Sequence, residues 1–211
     1  MTRIEQWKKE IVTHKRAIAF SILFLIIAII LNFIASTYVS KIAGVSAPDL
    51  ILDHIPTIDF DLIYIYGDIL IVAVLFLYPL LFKVKELHKV INQFSLLILI
   101  RSFFITLTHL KNPSSALAFN IPSLLSFIFF QNDLFFSGHT AIPFLGFLLF
   151  KDSKIRYFFL FSSIMMAAVV LFMHVHYTID VLSAFFITYG TFNIGEWFFN
   201  KINHYSSKAL I

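Results

Sequence analysis

The chain has 211 residues, of which 59% are hydrophobic and only 13% charged, with 27 Phe, no Cys and a formal net charge of +4. Soluble domains carry roughly 25% charged residues, so this balance, with several runs of about 20 apolar residues, excludes an ordinary soluble fold and predicts an all-α integral membrane protein. The lack of Cys excludes disulfides, thiolate metal sites and a Cys nucleophile. Basic residues cluster in short stretches between apolar runs, as membrane topology demands, so the positive balance does not imply nucleic acid.

Residues 1–16 are polar and basic, with Arg3, Lys8, Lys9, Lys15 and Arg16 beside Glu5 and Glu10. Ile4, Trp7 and Ile11 recur at helical spacing, which predicts an interfacial helix. The apolar run that follows is too long for a cleavable signal peptide, and no small-residue cleavage site closes it. Six spans follow, at 17–39, 61–82, 90–110, 134–150, 157–173 and 178–199, and a short tail at 200–211 carries Lys201 and Lys208. The predicted organisation is a basic N-terminal segment (1–16), a six-transmembrane-helix bundle (17–199) and a tail. The segment 114–130 is apolar but short, and Asn120, Pro122, Ser123 and Ser126 interrupt it. It reads as an apolar loop or re-entrant lid.

Charge sets the orientation. The N-terminus, the second and fourth loops and the tail hold nearly all the Lys and Arg, while the other loops hold only Lys41 and Lys111. The positive-inside bias then places both termini in the cytoplasm. Asp49, Asp53, His54, His109, Asp133, His139, His174, His176 and Asp180 all fall on the non-cytoplasmic side, although none of them entered the orientation.

Two stretches carry the chemistry: Asp-Leu-Phe-Phe-Ser-Gly-His-Thr at 133–140 and His-Val-His-Tyr-Thr-Ile-Asp at 174–180. Ionisable groups at the edge of hydrocarbon are functional candidates by default. His176 and Asp180 are four apart, a spacing that puts them on one face of a helix start. A carboxylate on one imidazole nitrogen leaves the other free as base or nucleophile. His139 follows Ser137 and Gly138 at the start of a span, where unpaired amides make an anion site. One histidine to attack phosphorus and another to protonate the leaving oxygen give a phosphotransfer site without metal. Elsewhere, Arg101 and Asp68 sit at similar depth in spans three and two, which predicts an ion pair. Arg101 as a bidentate grip on phosphate is the rival role. His109 and His174 are expected to border the site, and Asp49 to sit in a solvated outer loop.

These residues resemble the sphingomyelin synthase-related branch of the type 2 phosphatidic acid phosphatase superfamily. Asp133 and Ser137 to Thr140 match its Gly-Asp-x-x-x-Ser-Gly-His-Thr motif, with Asn132 in place of the Gly. His176 to Val181, Ala184 and Phe185 match His-Tyr-Thr-x-Asp-Val-x-x-Ala-aromatic. Softer matches are Arg101, Ser102, Thr108, Leu110 and Pro113 in a third motif, and Pro48, Asp49 and Asp53 in the first outer loop. Val175 stands where the family often has an acidic residue, and the Lys-rich motif of the soluble-substrate phosphatases is absent.

The resemblance implies ping-pong head-group transfer. His176, oriented by Asp180, would attack a glycerophospholipid. His139 would protonate the leaving diacylglycerol, and a phosphohistidine would pass the head group to a lipid hydroxyl such as ceramide. Arg101, Asp133, Ser137, Gly138 and Tyr177 would bind substrate. The implied partners are a phospholipid donor, a lipid-alcohol acceptor and membrane lipids; no cofactor is implied, and a homo-oligomer is left open. Two alternatives stand beside it: a lipid phosphatase using the same site with water, and a metal-binding transporter with His139, His176 and Asp180 as ligands.

Overall fold

A computed structural model describes residues 3–42, 44–118 and 134–208. The protein is a helical membrane protein. Among the described residues six α-helices follow in order: α1 (Arg3–Ile42), α2 (Asp68–Phe82), α3 (Val84–Leu107), α4 (Gly138–Leu149), α5 (Ile155–Phe172) and α6 (Thr178–Lys208). A 3-10 turn, Leu52–His54, lies in the first connection, and a π-helical turn, Ile63–Gly67, leads into α2. Four helical segments are long and apolar enough to cross a membrane: Ile4–Ile42, Ile63–Phe82, Val84–Leu107 and Ile155–Phe172.

Three boundaries differ from the sequence reading, each for a local reason. The basic N-terminal segment is no separate element but the first part of the 40-residue α1. No helix breaker separates it from the apolar run, and Trp7 Nε1 donates to the Leu80 carbonyl at 2.7 Å, which ties it to the end of α2. At the other end, α6 continues through the tail as far as Lys208. The fourth span is cut to 12 residues, Gly138–Leu149, about 18 Å at ~1.5 Å per residue. The four residues before it are not helical, and Phe135 takes a φ of 89°. Its N–H donates to Asp180 Oδ1 at 3.0 Å, and its carbonyl accepts from Ser183 Oγ at 2.8 Å. Tertiary bonds to α6 thus override the apolar pattern of the segment.

Packing follows side-chain size. α1 leans on α3 through Ser21, Ala28 and Ala35, seven apart and nearly fully buried, with Val39 against Ile105. Small residues let two helix backbones approach in an apolar solvent where the hydrophobic effect gives no drive. The rest of α1 faces outward: Phe20 and Ile30 are exposed, as lipid-facing positions are. α3 is the central helix and packs on α1, α2, α4 and α6. The main core joins Leu75, Phe94, Leu97, Phe136, Leu145, Phe150, Phe159 and Met166. α4 meets α5 closely because Gly146 has no side chain: a Cβ there would lie 2.5 Å from Phe159 Cδ1.

That contact gives a test of the bundle. Gly146→Ala is expected to destabilise by about 1–3 kcal/mol through overpacking. Phe159→Leu in the same chain should recover part of the loss. Thermal melts of the four variants in detergent would measure the coupling; additive losses would show that the helices are not in contact here.

Candidate active site

α5 and α6 are joined by a turn built to deliver His176. The end of α5 is a Schellman motif: His174 N donates to Leu171 O at 3.0 Å, and Val175 N to Val170 O at 3.1 Å. His174 takes the left-handed position usually given to Gly, at φ 54°. It is buried, and its Nδ1 sits 2.6 Å from Ser115 Oγ. His174 is therefore a helix terminator inside the fold. The sequence held a signal for it, since two helices must be joined without Gly and His tolerates this conformation better than most residues.

α6 begins two residues later, so His176 precedes the helix instead of lying on its face. Asp180 is the third residue of α6 and reaches back, accepting from Tyr177 N at 2.9 Å as in a capping box. The same oxygen meets His176 Nδ1 at 3.2 Å. The expected i,i+4 pair forms, but through a helix cap. Asp180 is fully buried, and Phe135 N supplies a third bond. A carboxylate only accepts, so His176 Nδ1 carries the proton and Nε2 is left with its lone pair.

Asp49 supplies the other half of the cap. Its Oδ2 accepts from Thr178 N at 2.6 Å and its Oδ1 from Thr178 Oγ1 at 2.8 Å, while Ile51 N and Leu52 N also bond Oδ1. The first loop is thereby fastened to the α6 start, 129 residues away, so the reading of Asp49 as solvated is corrected. Burial pushes the Asp49 carboxyl up, but the bonds from Thr178, Leu52 and Ile51 outweigh it and hold it below the ordinary value of 3.8. Tyr177 serves the same joint. It is 2% exposed, its hydroxyl donates to Lys111 O at 2.9 Å, and it accepts from Ala47 N at 2.9 Å. It does not line the cavity, which corrects its expected role in substrate binding.

The second histidine comes from α4. Ser137 occupies the N-cap and is buried; its N–H donates to Asp180 O at 3.3 Å, and its Oγ accepts from Thr140 Oγ1 at 3.3 Å. His139 stacks on Tyr64, with centroids 4.2 Å apart, and faces His176 at 6.3 Å. Pro143 has no N–H for the carbonyl of His139, four residues back. Arg101 lies along the α4 start: its Nε donates to Phe136 O at 3.1 Å and its Nη1 to Asn32 Oδ1 at 3.4 Å. A Cβ on Gly138 would stand 3.3 Å from Arg101 Nε, so the glycine makes this approach comfortable. The predicted Arg101–Asp68 pair is not formed. The guanidinium is held by the Phe136 carbonyl and Asn32, and Asp68 Oδ1 is buried with no hydrogen-bond partner among the described residues.

These groups open on one cavity of about 580 Å³. At one end it is lined by His139, His176, Arg101 and Asn112. Leu25, Ile29, Val72, Phe76, Phe94 and Ile98 line the remainder. The apolar part runs from Arg101 to Phe94 along α3, about 10 Å at ~1.5 Å per residue. Val175 also lines the cavity where an acidic residue was the pattern. His109 is absent from the lining; its Nε2 meets its own helix end at Thr106 O, 3.1 Å away. Asp133 and most of the 114–130 segment lie outside the described residues, as do Phe127, Phe129 and Phe130. The zinc reading does not fit the geometry. Among the described residues no three metal-ligating side chains converge, and both Asp180 oxygens are engaged.

Residues 132–197 match the family model described as PAP2 superfamily C-terminal. The match covers α4, α5, the turn between α5 and α6, and α6 as far as Trp197. It supports the type 2 phosphatidic acid phosphatase superfamily and a lipid phosphatase or phosphotransferase class of enzyme. No curated protein matches the chain.

The Asp49 cap can be tested directly. Asp49→Asn is expected to cost about 1 kcal/mol, within the usual range for losing a cap. Because the folded carboxyl titrates below its unfolded value of 3.8, the wild-type advantage is complete above that pH. It shrinks as pH falls through the lower, folded value. Melting curves of both proteins from pH 7 downwards should converge only in acid; a constant gap would show that the charge is not what caps α6.

Proposed function

We propose that the chain is a multi-pass membrane phosphotransferase of six spans, with both termini cytoplasmic and the site on the opposite face. It moves a phospho-head group, such as phosphocholine or phosphoethanolamine, from a glycerophospholipid to a lipid hydroxyl such as ceramide. The observation that carries this reading is two imidazoles 6.3 Å apart at the polar end of a cavity whose other end is hydrocarbon-lined. A phosphate diester fits between the rings with each nitrogen in reach of about 3 Å, and an acyl chain fits the remainder.

In the first half-reaction His176 Nε2 attacks phosphorus. The bond from phosphorus to the glycerol oxygen breaks, and His139, protonated once the phosphodiester anion lies beside it, gives its proton to that oxygen. Asp180 stabilises the charge that grows on His176. In the second half the acceptor oxygen attacks the phosphohistidine, its proton passes to His139, and the phosphorus–nitrogen bond breaks. Arg101 and the amides at the start of α4, with Gly138 and Ser137 shaping the approach, draw the phosphoryl oxygens into place. Asp133 belongs to the same proposal through its motif. Water in place of the lipid alcohol turns the same steps into a phosphatase, the reading that the superfamily match favours equally.

The test uses purified protein in detergent, a panel of phospholipid donors and a fluorescent ceramide or diacylglycerol. A new labelled phospholipid is expected, reduced at least about a thousandfold in His176→Ala and His139→Ala. An acid-labile phosphoryl label should appear on the wild type and not on His176→Ala. Water-soluble products alone would move the protein to the phosphatases. Turnover unchanged in both variants would overturn the site.

A further inference from the structure

Tyr64 takes no part in the steps written above, yet it lies flat against one of the two histidines. Its ring centroid is 4.2 Å from that of His139 and the planes are inclined by 21°, whereas the His176 ring stands 6.3 Å away. The stack joins two elements far apart in the chain, the turn ahead of α2 and the first turn of α4. Local structure fixes the tyrosine there. Ile63–Gly67 is a π-helical turn, a wide form that is rare and recurs at functional sites. Tyr64 N donates to Phe60 O at 2.9 Å, which ties the turn to the chain before it. The side chain is 5% exposed and belongs to a buried cluster with Val170, Met173, Val175 and Val181, from α5, the turn after it and α6.

An aromatic stack in a core needs no chemistry. What singles this one out is the charge that its partner must carry. As the acid of the first half-reaction His139 becomes an imidazolium in a buried place, where a cation is costly. Arg101 of α3 lies along the α4 start, 3.3 Å from the position of a Cβ on Gly138, and opposes that charge. His176 lines the same cavity and grows positive as it attacks. The Asp180 carboxylate of α6 is engaged by His176 Nδ1, Tyr177 N and Phe135 N. Asp68, at the start of α2, also lines the cavity, four residues beyond Tyr64. The phosphodiester brings one anion to the imidazolium, and the face of the ring is covered by Tyr64. An aromatic face is the negative side of the ring quadrupole and attracts a cation within about 6 Å of its centroid, most strongly out of water. A neutral imidazole carries no such charge, so the contact favours the protonated form.

We infer that Tyr64 is a positioning residue for the acid: its ring holds the His139 imidazole by the face and stabilises the imidazolium that protonates the leaving glycerol oxygen. This rests on the two-histidine reading, and it holds for transfer and hydrolysis alike, because both begin with the same half-reaction.

The experiment follows release of diacylglycerol from one phospholipid donor in a single turnover, with the full chain in detergent, across a wide pH range. The rate needs His176 neutral and His139 protonated, so it falls in acid as His176 gains a proton and in alkali as His139 loses one. The residual rate of His139→Ala should lack the alkaline limb. Position 64 carries Tyr, Phe, or Phe with an increasing number of ring fluorines introduced as unnatural residues. These rings are close in size, and fluorine drains the π face that attracts a cation. Tyr64→Phe is expected to stay within about threefold of wild type, with both limbs in place. The fluorines should move the alkaline limb to lower pH, by about one unit over the series, and leave the acid limb where it is. Above the limb that is about a tenfold loss, and lowering the pH restores the rate. Tyr64→Leu should move the limb in the same direction. A loss of equal size at every pH, or an alkaline limb indifferent to the fluorines, overturns the assignment and leaves the two histidines standing. A limb that moves with Asp68→Asn and not with the rings also overturns it, by giving the support of the acid to Asp68. So does a collapse of the rate in Tyr64→Phe, which would assign the work to the hydroxyl. A wild type whose diacylglycerol release does not depend on His139 and His176 overturns the two-histidine reading, and the role of Tyr64 with it.

Discussion

Everything at the polar end of this bundle hangs on the Asp180 carboxylate. It is fully buried, and three donors meet it: His176 Nδ1, the Tyr177 amide and the Phe135 amide. A charge out of water survives only when its oxygens are matched in this way. The matching also ties together separate parts of the chain, because one bond starts α6, one orients an imidazole and one bends the entry to α4. The Asp180 carbonyl continues the pattern by accepting from Ser137 N. The two histidines face each other because the amides of Ser137 and Tyr177, close to each of them, are bonded to the same residue.

The long apolar helices do a different job. α1 is attached chiefly to α3 through small side chains, with most of its surface turned outward. Its polar contribution to the cavity is Asn32, which receives Arg101 and Ser102 of α3. Two polar bonds and a stripe of Ser and Ala set the distance between α1 and α3, and the cavity is the space left between those helices, α2 and α4. Its shape follows from which helices carry polar residues near one end and Leu, Val or Phe below.

The helical, membrane-embedded class was legible because hydrophobic length is a coarse signal that tertiary contacts rarely override. The pairing of His176 with Asp180 was legible because a spacing of four brings side chains together on a helix and in a helix cap alike. Asp49 was not. Its contact with Thr178 spans 129 residues, and nothing local distinguishes a capping Asp from a solvated one. Tyr177 was misassigned because a motif marks which residues travel together, not which of them touch the ligand. The Arg101–Asp68 pair was inferred from depth alone. Depth ignores rotation about the helix axis, and Arg101 turns toward Phe136 O and Asn32 instead.

The shortness of α4 is what makes a site possible at this depth. Non-helical backbone is tolerated within hydrocarbon only where it is buried in protein or lines a cavity. The chain meets that condition at three breaks among the described residues. The turn at 173–177 closes its amides in a Schellman motif and on Asp180. Segment 134–137 gives the Phe135 and Ser137 amides to Asp180 and accepts from Ser183 and Arg101. The first loop closes on Tyr177 and Thr178. The break at 134–137 also takes four residues from a helix that would otherwise extend into the bundle. The space released becomes the polar end of the cavity, and the start of α4 borders it. Satisfying the backbone and opening the cavity are thus one structural event. For that reason the matched segments 133–140 and 174–180 fall at helix starts rather than along the spans.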